Sequence, residues 1–211
     1  PKVVGFSCFV WNWNNNVEIA KKIKERWPEC LIVFGGWQVP MADRIKGFFK
    51  KYPFVDIAIH GEGELSFANV LEENLKDYPE WESVAGCSIP YKMVADKKSK
   101  NRTINHGLAI KSEFDNPGYS LSDVYTTLPQ PRIADLASMP SPYLDGLFDS
   151  LVEDCNHQLE ATFETTRGCP YSCTYCEIGT KYYQKIKTHK LDKIYAEIDW
   201  MAKNKVVFVY N

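Results

Sequence analysis

No stretch of the sequence approaches the ~20 consecutive apolar residues that cross a bilayer, and no secretory signal pattern is present, so the expected setting is the cytoplasm. A charge excess is missing too. The 25 basic residues against 27 acidic ones leave a net charge of −2, which gives neither nucleic acid nor an anionic membrane an electrostatic partner. The seven cysteines have no secretory context, which argues against a disulfide scaffold. Cys8, Cys30 and Cys87 lie in or beside apolar, strand-like runs and read as buried free thiols. Cys155 stands in a polar stretch and is assigned no role.

What is present is a hydrophobic content of 45% in 211 residues, enough for one domain and part of another. Both ends look cut: the chain opens on Pro1-Lys2 and stops after the strand-like Val206–Tyr210, so a fragment of a longer protein, lacking an initial strand, is expected. Val3–Trp11 is an apolar run that fits a strand buried on both faces. A polar turn at Asn12–Asn16 follows, then helical spacing of Val17, Ile19, Ala20, Ile23 and Trp27, ended by Pro28. Cys30–Phe34 with Met41–Lys51, and Val55–Ile59 with Leu65–Leu75, repeat the strand–helix alternation. The latter helix is marked by Phe67, Val70, Leu71 and Leu75. A fourth strand is expected at Val84–Pro90. The pattern predicts an α/β fold with a doubly wound parallel sheet.

Three successive strands exit into distinctive loops: Trp11-Asn12-Trp13-Asn14, Gly35-Gly36-Trp37-Gln38 and Gly61-Glu62-Gly63-Glu64. In a doubly wound sheet these share the edge where ligands bind. The glycines either let backbone approach a broad ligand covered by the indoles of Trp11, Trp13 and Trp37, or only make tight turns, with Glu62 and Glu64 complementing a helix N-terminus. His60, at a strand end, is either packed or a metal ligand.

Beyond these units, Tyr91–Val94 and Thr103–Ile110 read as a hairpin around a solvated basic loop, and Asn116-Pro117-Gly118 as a turn. The prolines at 129, 131, 140 and 142 mark a connection. A second unit then opens with a strand near Leu159–Thr165. A helix over Leu191–Lys203 follows, with Ile194, Ile198 and Met201 inward, and Val206–Tyr210 forms another strand. Between them lies Glu164-Thr165-Thr166-Arg167-Gly168-Cys169-Pro170-Tyr171-Ser172-Cys173-Thr174-Tyr175-Cys176, placing C-x3-C-x2-C at a strand's carboxyl end. Three thiols so close together favour metal ligation over a disulfide. Zinc would draw on a distant fourth ligand, Cys155 or His189, whereas a cubane iron–sulfur cluster uses three and leaves one iron open. Arg167 either supports the loop electrostatically or is exposed. Lys181, Tyr182, Tyr183 and Lys185 either face the site or are solvated lysines and packing tyrosines.

Cys169, Cys173 and Cys176, with Tyr175 before the last, resemble the cluster loop of the radical S-adenosylmethionine (radical SAM) superfamily, in the version found beside a cobalamin-binding domain. Gly5-Phe6-Ser7, Trp11-Asn12, Gly35-Gly36 and Gly61-Glu62-Gly63-Glu64 resemble that domain, and Pro140–Leu144 with Gly146–Asp149 continue the likeness. The resemblance implies a [4Fe–4S] cluster on the three cysteines, with S-adenosylmethionine (SAM) on the open iron and Tyr175 near its adenine. It also implies cobalamin against Ser7, Trp11, Asn12, Gly35, Gly36, Gly61, Glu62 and Gly63. Cobalamin domains that ligate cobalt through histidine resemble Asp-x-His-x-x-Gly, which this sequence lacks.

The implied organisation is a Rossmann-like cobalamin domain over residues 1–127, a connection over 128–157, and the start of a partial (βα)6 barrel over 158–211. The implied reaction is reductive SAM cleavage to a 5′-deoxyadenosyl radical with methyl transfer to an unactivated carbon or phosphorus centre of a small-molecule or peptide substrate. Flavodoxin or ferredoxin would supply electrons, and neither nucleic acid nor membrane would take part. The chain alone is expected to show no turnover. Radical cyclisation or rearrangement and methylthiotransferase-like chemistry are the neighbouring enzyme alternatives. A zinc-stabilised binding module is the non-enzymatic one.

Overall fold

The computed structural model describes residues 1–41, 44–91, 93, 124–176 and 183–211. The hairpin and turn expected between residues 91 and 118 lie almost wholly outside these residues, as do Lys181 and Tyr182. The chain divides into two compact units, Pro1–Pro131 and Arg132–Asn211. Among the described residues no helix is long and apolar enough to cross a membrane.

The first unit is built on a five-stranded sheet, β1 Val3–Ser7, β2 Leu31–Gly35, β3 Ile57–Ile59, β4 Cys87–Pro90 and β5 Val124–Thr126, neighbours in that order. β1, β2 and β3 are parallel, whereas β4 and β5 each run antiparallel to the preceding strand. The sheet is therefore mainly parallel with an antiparallel margin. Alternate residues of β2 point to opposite faces, and each face has its own core. Ile32 and Phe34 pack with Ala20 of α1 (Trp13–Arg26) and Ile45 and Phe48 of α2 (Ile45–Lys51). Leu31 and Val33 pack with Ile57, Val70 of α3 (Glu64–Asn74) and Trp81. Full burial of a side chain such as Phe34 contributes about 1.5–3 kcal/mol, so a helical layer on each face is the stable solution for strands this apolar.

Several expected boundaries move. β1 stops at Ser7 and is an edge strand only partly buried, because a neighbour lies on one side alone among the described residues. Asn12–Asn16 is not a free turn, since α1 begins at Trp13. Asn12 and Asn16 are drawn into order by the end of β1: the Nδ2 groups of both donate to the Ser7 carbonyl, at 2.9 and 3.1 Å, and Asn12 Oδ1 accepts from Phe9 N–H at 2.8 Å. In α3, Phe67 and Val70 face the core, but Leu71 and Leu75 are exposed. Cys8, Cys30 and Cys87 are buried free thiols.

A partly buried ion pair ties α1 to the amino-terminal ends of β2 and β3. Asp56 accepts from Lys24 Nζ at 2.6 Å and from Ile32 N–H at 2.8 Å, while Lys24 also donates to the Cys30 carbonyl at 2.7 Å. Asp56→Ala leaves the Ile32 N–H without its acceptor and Lys24 with only the Cys30 carbonyl, and is expected to destabilise the fold by about 2–4 kcal/mol, read from denaturant midpoints. Asp56→Asn keeps an acceptor for Ile32 N–H and should cost less. Equal losses for the two variants would show that the retained acceptor contributes nothing and that the charge opposite Lys24 carries the effect.

In the second unit, β6 Glu160–Thr162 and β9 Phe208–Tyr210 pair in parallel, connected through α5 (Leu191–Lys203). Between β6 and α5 a short antiparallel pair, β7 Thr166–Arg167 and β8 Lys187–Thr188, carries the cysteine loop. A one-turn helix, α4 (Asp149–Glu153), precedes β6. Tyr143, Ala161 and Met201 form the core with Phe148 and Trp200. Tyr143 is further fixed by its hydroxyl, which donates to Thr162 O at 2.5 Å and accepts from Thr162 N–H at 3.1 Å. Residues 143–148 thus pack as part of this unit. On α5, Ile194 and Met201 are buried but Ile198 is exposed, and Glu197 is buried.

Candidate functional site

Each unit carries one candidate region. In the first, the parallel register sets Ser7 beside Gly35, so the exits of β1, β2 and β3 share one edge. The β1 and β2 exits are locked together: Cys8 N–H donates to Gly35 O at 2.7 Å, and Gln38 N–H to Cys8 O at 3.1 Å. Gly36 turns with φ +94°, and a Cβ there would lie 2.8 Å from the Cys8 carbonyl oxygen, so only glycine fits. Gly61 turns with φ +73°, and Gly63 occupies the N-cap position of α3. Glu62 is buried.

The indoles do not act together. Trp11 is 75% exposed and stacked on Phe9 with ring centres 4.7 Å apart. Trp13 instead packs into the core against Phe34 and Tyr52, because α1 starts at it. Trp37 is 40% exposed. A cleft of about 550 Å³ lined by Lys46, Phe49, Pro90 and Val124 lies at the opposite, amino-terminal edge of the parallel strands, away from these loops.

His60 follows β3. Its Nε2 is 2.8 Å from Ser88 Oγ, which is 2.9 Å from Thr126 Oγ1, and its Nδ1 is buried without a hydrogen-bond partner among the described residues. Burial pushes the imidazole down from the ordinary 6.5 to about 4. The unfolded chain therefore takes up this proton near pH 6.5 and the folded chain only near pH 4. Stability falls as pH drops through that window, by on the order of 3 kcal/mol in total. His60→Gln is expected to flatten the dependence between those limits in pH-resolved denaturation; an unchanged slope would show that His60 is not its source.

In the second unit the loop springs from the β7–β8 pair. Gly168 has φ +117°, and a Cβ on it would lie 2.7 Å from Lys185 O and 2.8 Å from Tyr183 O. Cys169 N–H donates to Tyr183 O at 3.0 Å, and Cys176 N–H to Cys173 O at 3.2 Å. All three cysteines are free thiols, Cys173 exposed and the others half-buried. Tyr175 is 89% exposed. Among the described residues, no three His, Cys, Asp or Glu side chains stand close enough to hold a metal ion, the loop cysteines included. The donor set itself, three free thiols on one exposed loop with an anchored stem, suits a thiolate-bound metal whose ligands assemble as it binds.

Residues beneath the loop were less visible in the sequence. Arg167 is not a solvated arginine: it forks onto Glu164, with Nε 3.0 Å from Oε1 and Nη2 2.7 Å from Oε2. Buried His189 places Nε2 3.6 Å from the same carboxylate. Tyr183 lies under the Arg132 guanidinium, 5.6 Å from it. Neither the Glu164–Arg167 pair nor Arg132 carries a sequence signal for this arrangement; His189 stood out only as a distant candidate zinc ligand, and folding sets it against Glu164.

A mainly parallel α/β unit with glycine-rich exits on one edge is followed by a βαβ unit bearing C-x3-C-x2-C after its first strand, and over nearly its whole length the chain is similar to part of the cobalamin-dependent radical SAM methyltransferases. The particular relatives are a cobalamin-dependent radical SAM methyltransferase, TokK, of Streptomyces tokunonensis, 34% identical over 98% of the chain, and a 2-(S-pantetheinyl)-carbapenam-3-carboxylate methyltransferase of Streptantibioticus cattleyicolor, 33% identical over 98%. The chain spans about a quarter, 26%, of the length of each. A hopanoid C-3 methylase of Methylococcus capsulatus is 23% identical over 94% of the chain and 32% of its own length. Among solved structures, the radical SAM methyltransferase TsrM of Kitasatospora setae, bound to tryptophan and a SAM analogue, matches in fold with a TM-score of 0.59 at 13% identity, over 99% of this chain and 36% of its own. No family model matches the chain.

Proposed function

We propose that a protein containing this chain cleaves SAM reductively and transfers a methyl group from cobalamin to an unactivated centre of a small molecule. The observation that carries this reading is the 34% identity running along 98% of the chain to a cobalamin-dependent radical SAM methyltransferase. When bound, the cluster, SAM and cobalamin would supply the electron, the radical and the methyl group.

The chain's residues bind and orient. Cys169, Cys173 and Cys176 would give the three thiolates of a [4Fe–4S] cluster, and Tyr175, exposed beside the last of them, would offer its ring and backbone to the adenine of SAM. On the first unit Ser7, Trp11, Asn12, Gly35, Gly36, Gly61, Glu62 and Gly63 would form the cobalamin-binding edge. Glycine at 36 and 61 lets backbone come close to a broad ligand, and the exposed Trp11 indole, already braced by Phe9, supplies apolar surface at little entropic cost. Residues 1–127 would then be the cobalamin domain, 128–157 the connection and 158–211 the opening of the barrel. A flavodoxin- or ferredoxin-type donor would reduce the cluster.

The test is anaerobic reconstitution of the full-length protein with iron, sulfide and cobalamin, followed by addition of SAM. Iron and sulfide in cluster stoichiometry, 5′-deoxyadenosine formation and binding of cobalamin are the expected results. Retention of zinc alone, with SAM left intact, would remove the reading.

A further inference from the structure

The proline-rich segment after the first unit reads in sequence as a simple link, yet its first residue in the second unit meets the root of the cysteine loop. Pairing between β7 and β8 runs through Thr166–Thr188 and Arg167–Lys187 and then stops. At Gly168 the backbone turns with a positive φ, where a Cβ would lie 2.7 Å from Lys185 O and 2.8 Å from Tyr183 O. Pairing resumes where Cys169 N–H meets Tyr183 O at 3.0 Å. Arg132 spans the gap: Nη1 donates to Lys185 O at 2.6 Å and Nη2 to Arg167 O at 3.2 Å, so one planar fork bridges a carbonyl from each arm of the hairpin. The same guanidinium lies over the Tyr183 ring. A tie in the reverse direction follows at the next residue, where Lys187 Nζ donates to the Ile133 carbonyl and the Ile133 side chain is buried.

We infer that Arg132 is a positioning residue for the cysteine loop, its guanidinium replacing the ladder bonds lost at Gly168 and holding both arms at the separation from which Cys169, Cys173 and Cys176 reach one metal centre. The inference rests on the metal-binding reading of that loop. Lysine is a poor substitute, because its ammonium, although it has three donors, lacks the planar fork that sets the spacing of the two carbonyls and stacks on the ring. Alanine leaves carbonyls near the surface that water can satisfy, so the fold survives while the geometry of the stem loosens.

The test uses the full-length protein with Arg132→Ala and Arg132→Lys. In the apo-protein, hydrogen exchange at the Cys169 amide is expected to accelerate about ten-fold in both variants, with α5 amides unchanged. After anaerobic reconstitution, iron release to a ferrous chelator should also quicken about ten-fold, in the range seen when a group behind a metal ligand is removed. The electron paramagnetic resonance signal of the reduced cluster should broaden. Wild-type exchange at Cys169 and wild-type iron release in Arg132→Ala, or full recovery by Arg132→Lys, would overturn the inference. If wild-type protein takes up zinc in place of iron, the cluster reading falls, while Cys169 exchange and zinc release still uphold or overturn the role of Arg132.

Discussion

Replacing Cys169, Cys173 and Cys176 together by alanine in the full-length protein is expected to reduce iron and sulfide uptake to background and to abolish 5′-deoxyadenosine formation. The loss should exceed the about 10–100-fold change in affinity typical of removing a group that merely supports a ligand, because here the ligands themselves are deleted. Folding should be spared. The thiols are free, Cys173 is exposed, and none of the three joins the core built on Tyr143, Ala161 and Met201. Circular dichroism and the unfolding midpoint of the apo-protein should therefore match wild type. Unchanged iron content in the triple variant would place the metal elsewhere.

Gly168→Ala is expected to lower cluster uptake nearly as far without touching a ligand. Holding alanine at φ +117° costs about 1–3 kcal/mol. The added Cβ would also lie 2.7 and 2.8 Å from two backbone carbonyl oxygens, Lys185 O and Tyr183 O, which cannot swing aside as a side chain can. Either β8 moves away or Cys169 loses its bond to Tyr183. Gly146→Ala provides the comparison: its φ is also positive, at +75°, but the nearest atom is the Asp149 Oδ2 at 3.1 Å, the end of a side chain able to rotate. That variant should lose about 1 kcal/mol of stability and keep the cluster. Equal iron content in the two variants would show that crowding at position 168 has no bearing on the loop.

Much of the architecture was legible because it depends on local pattern. Apolar runs separated by helical spacing are short-range signals, and they located β2, α3 and α5 to within a residue or two. The errors fall where a contact outside the residue's own helix or turn overrides local preference. Asn12 and Asn16 look like turn residues until the Ser7 carbonyl is there to receive them, and Trp13 looks like a rim indole until α1 swings it toward Phe34. β4 carries no mark in its own sequence of the direction in which it pairs.

The candidate site divides in the same way. Thiol spacing, glycine placement and the identity of the loop residues are properties of a few consecutive positions, so the amino-acid sequence alone determined which atoms are available as ligands and which turns admit no side chain. Which residues brace those positions was decided only by tertiary structure. Arg132 reaches carbonyls 35 and 53 residues away, and His189 comes to Glu164 from the far arm of the hairpin. Such contacts follow from where the backbone returns in space, and no local periodicity encodes that return.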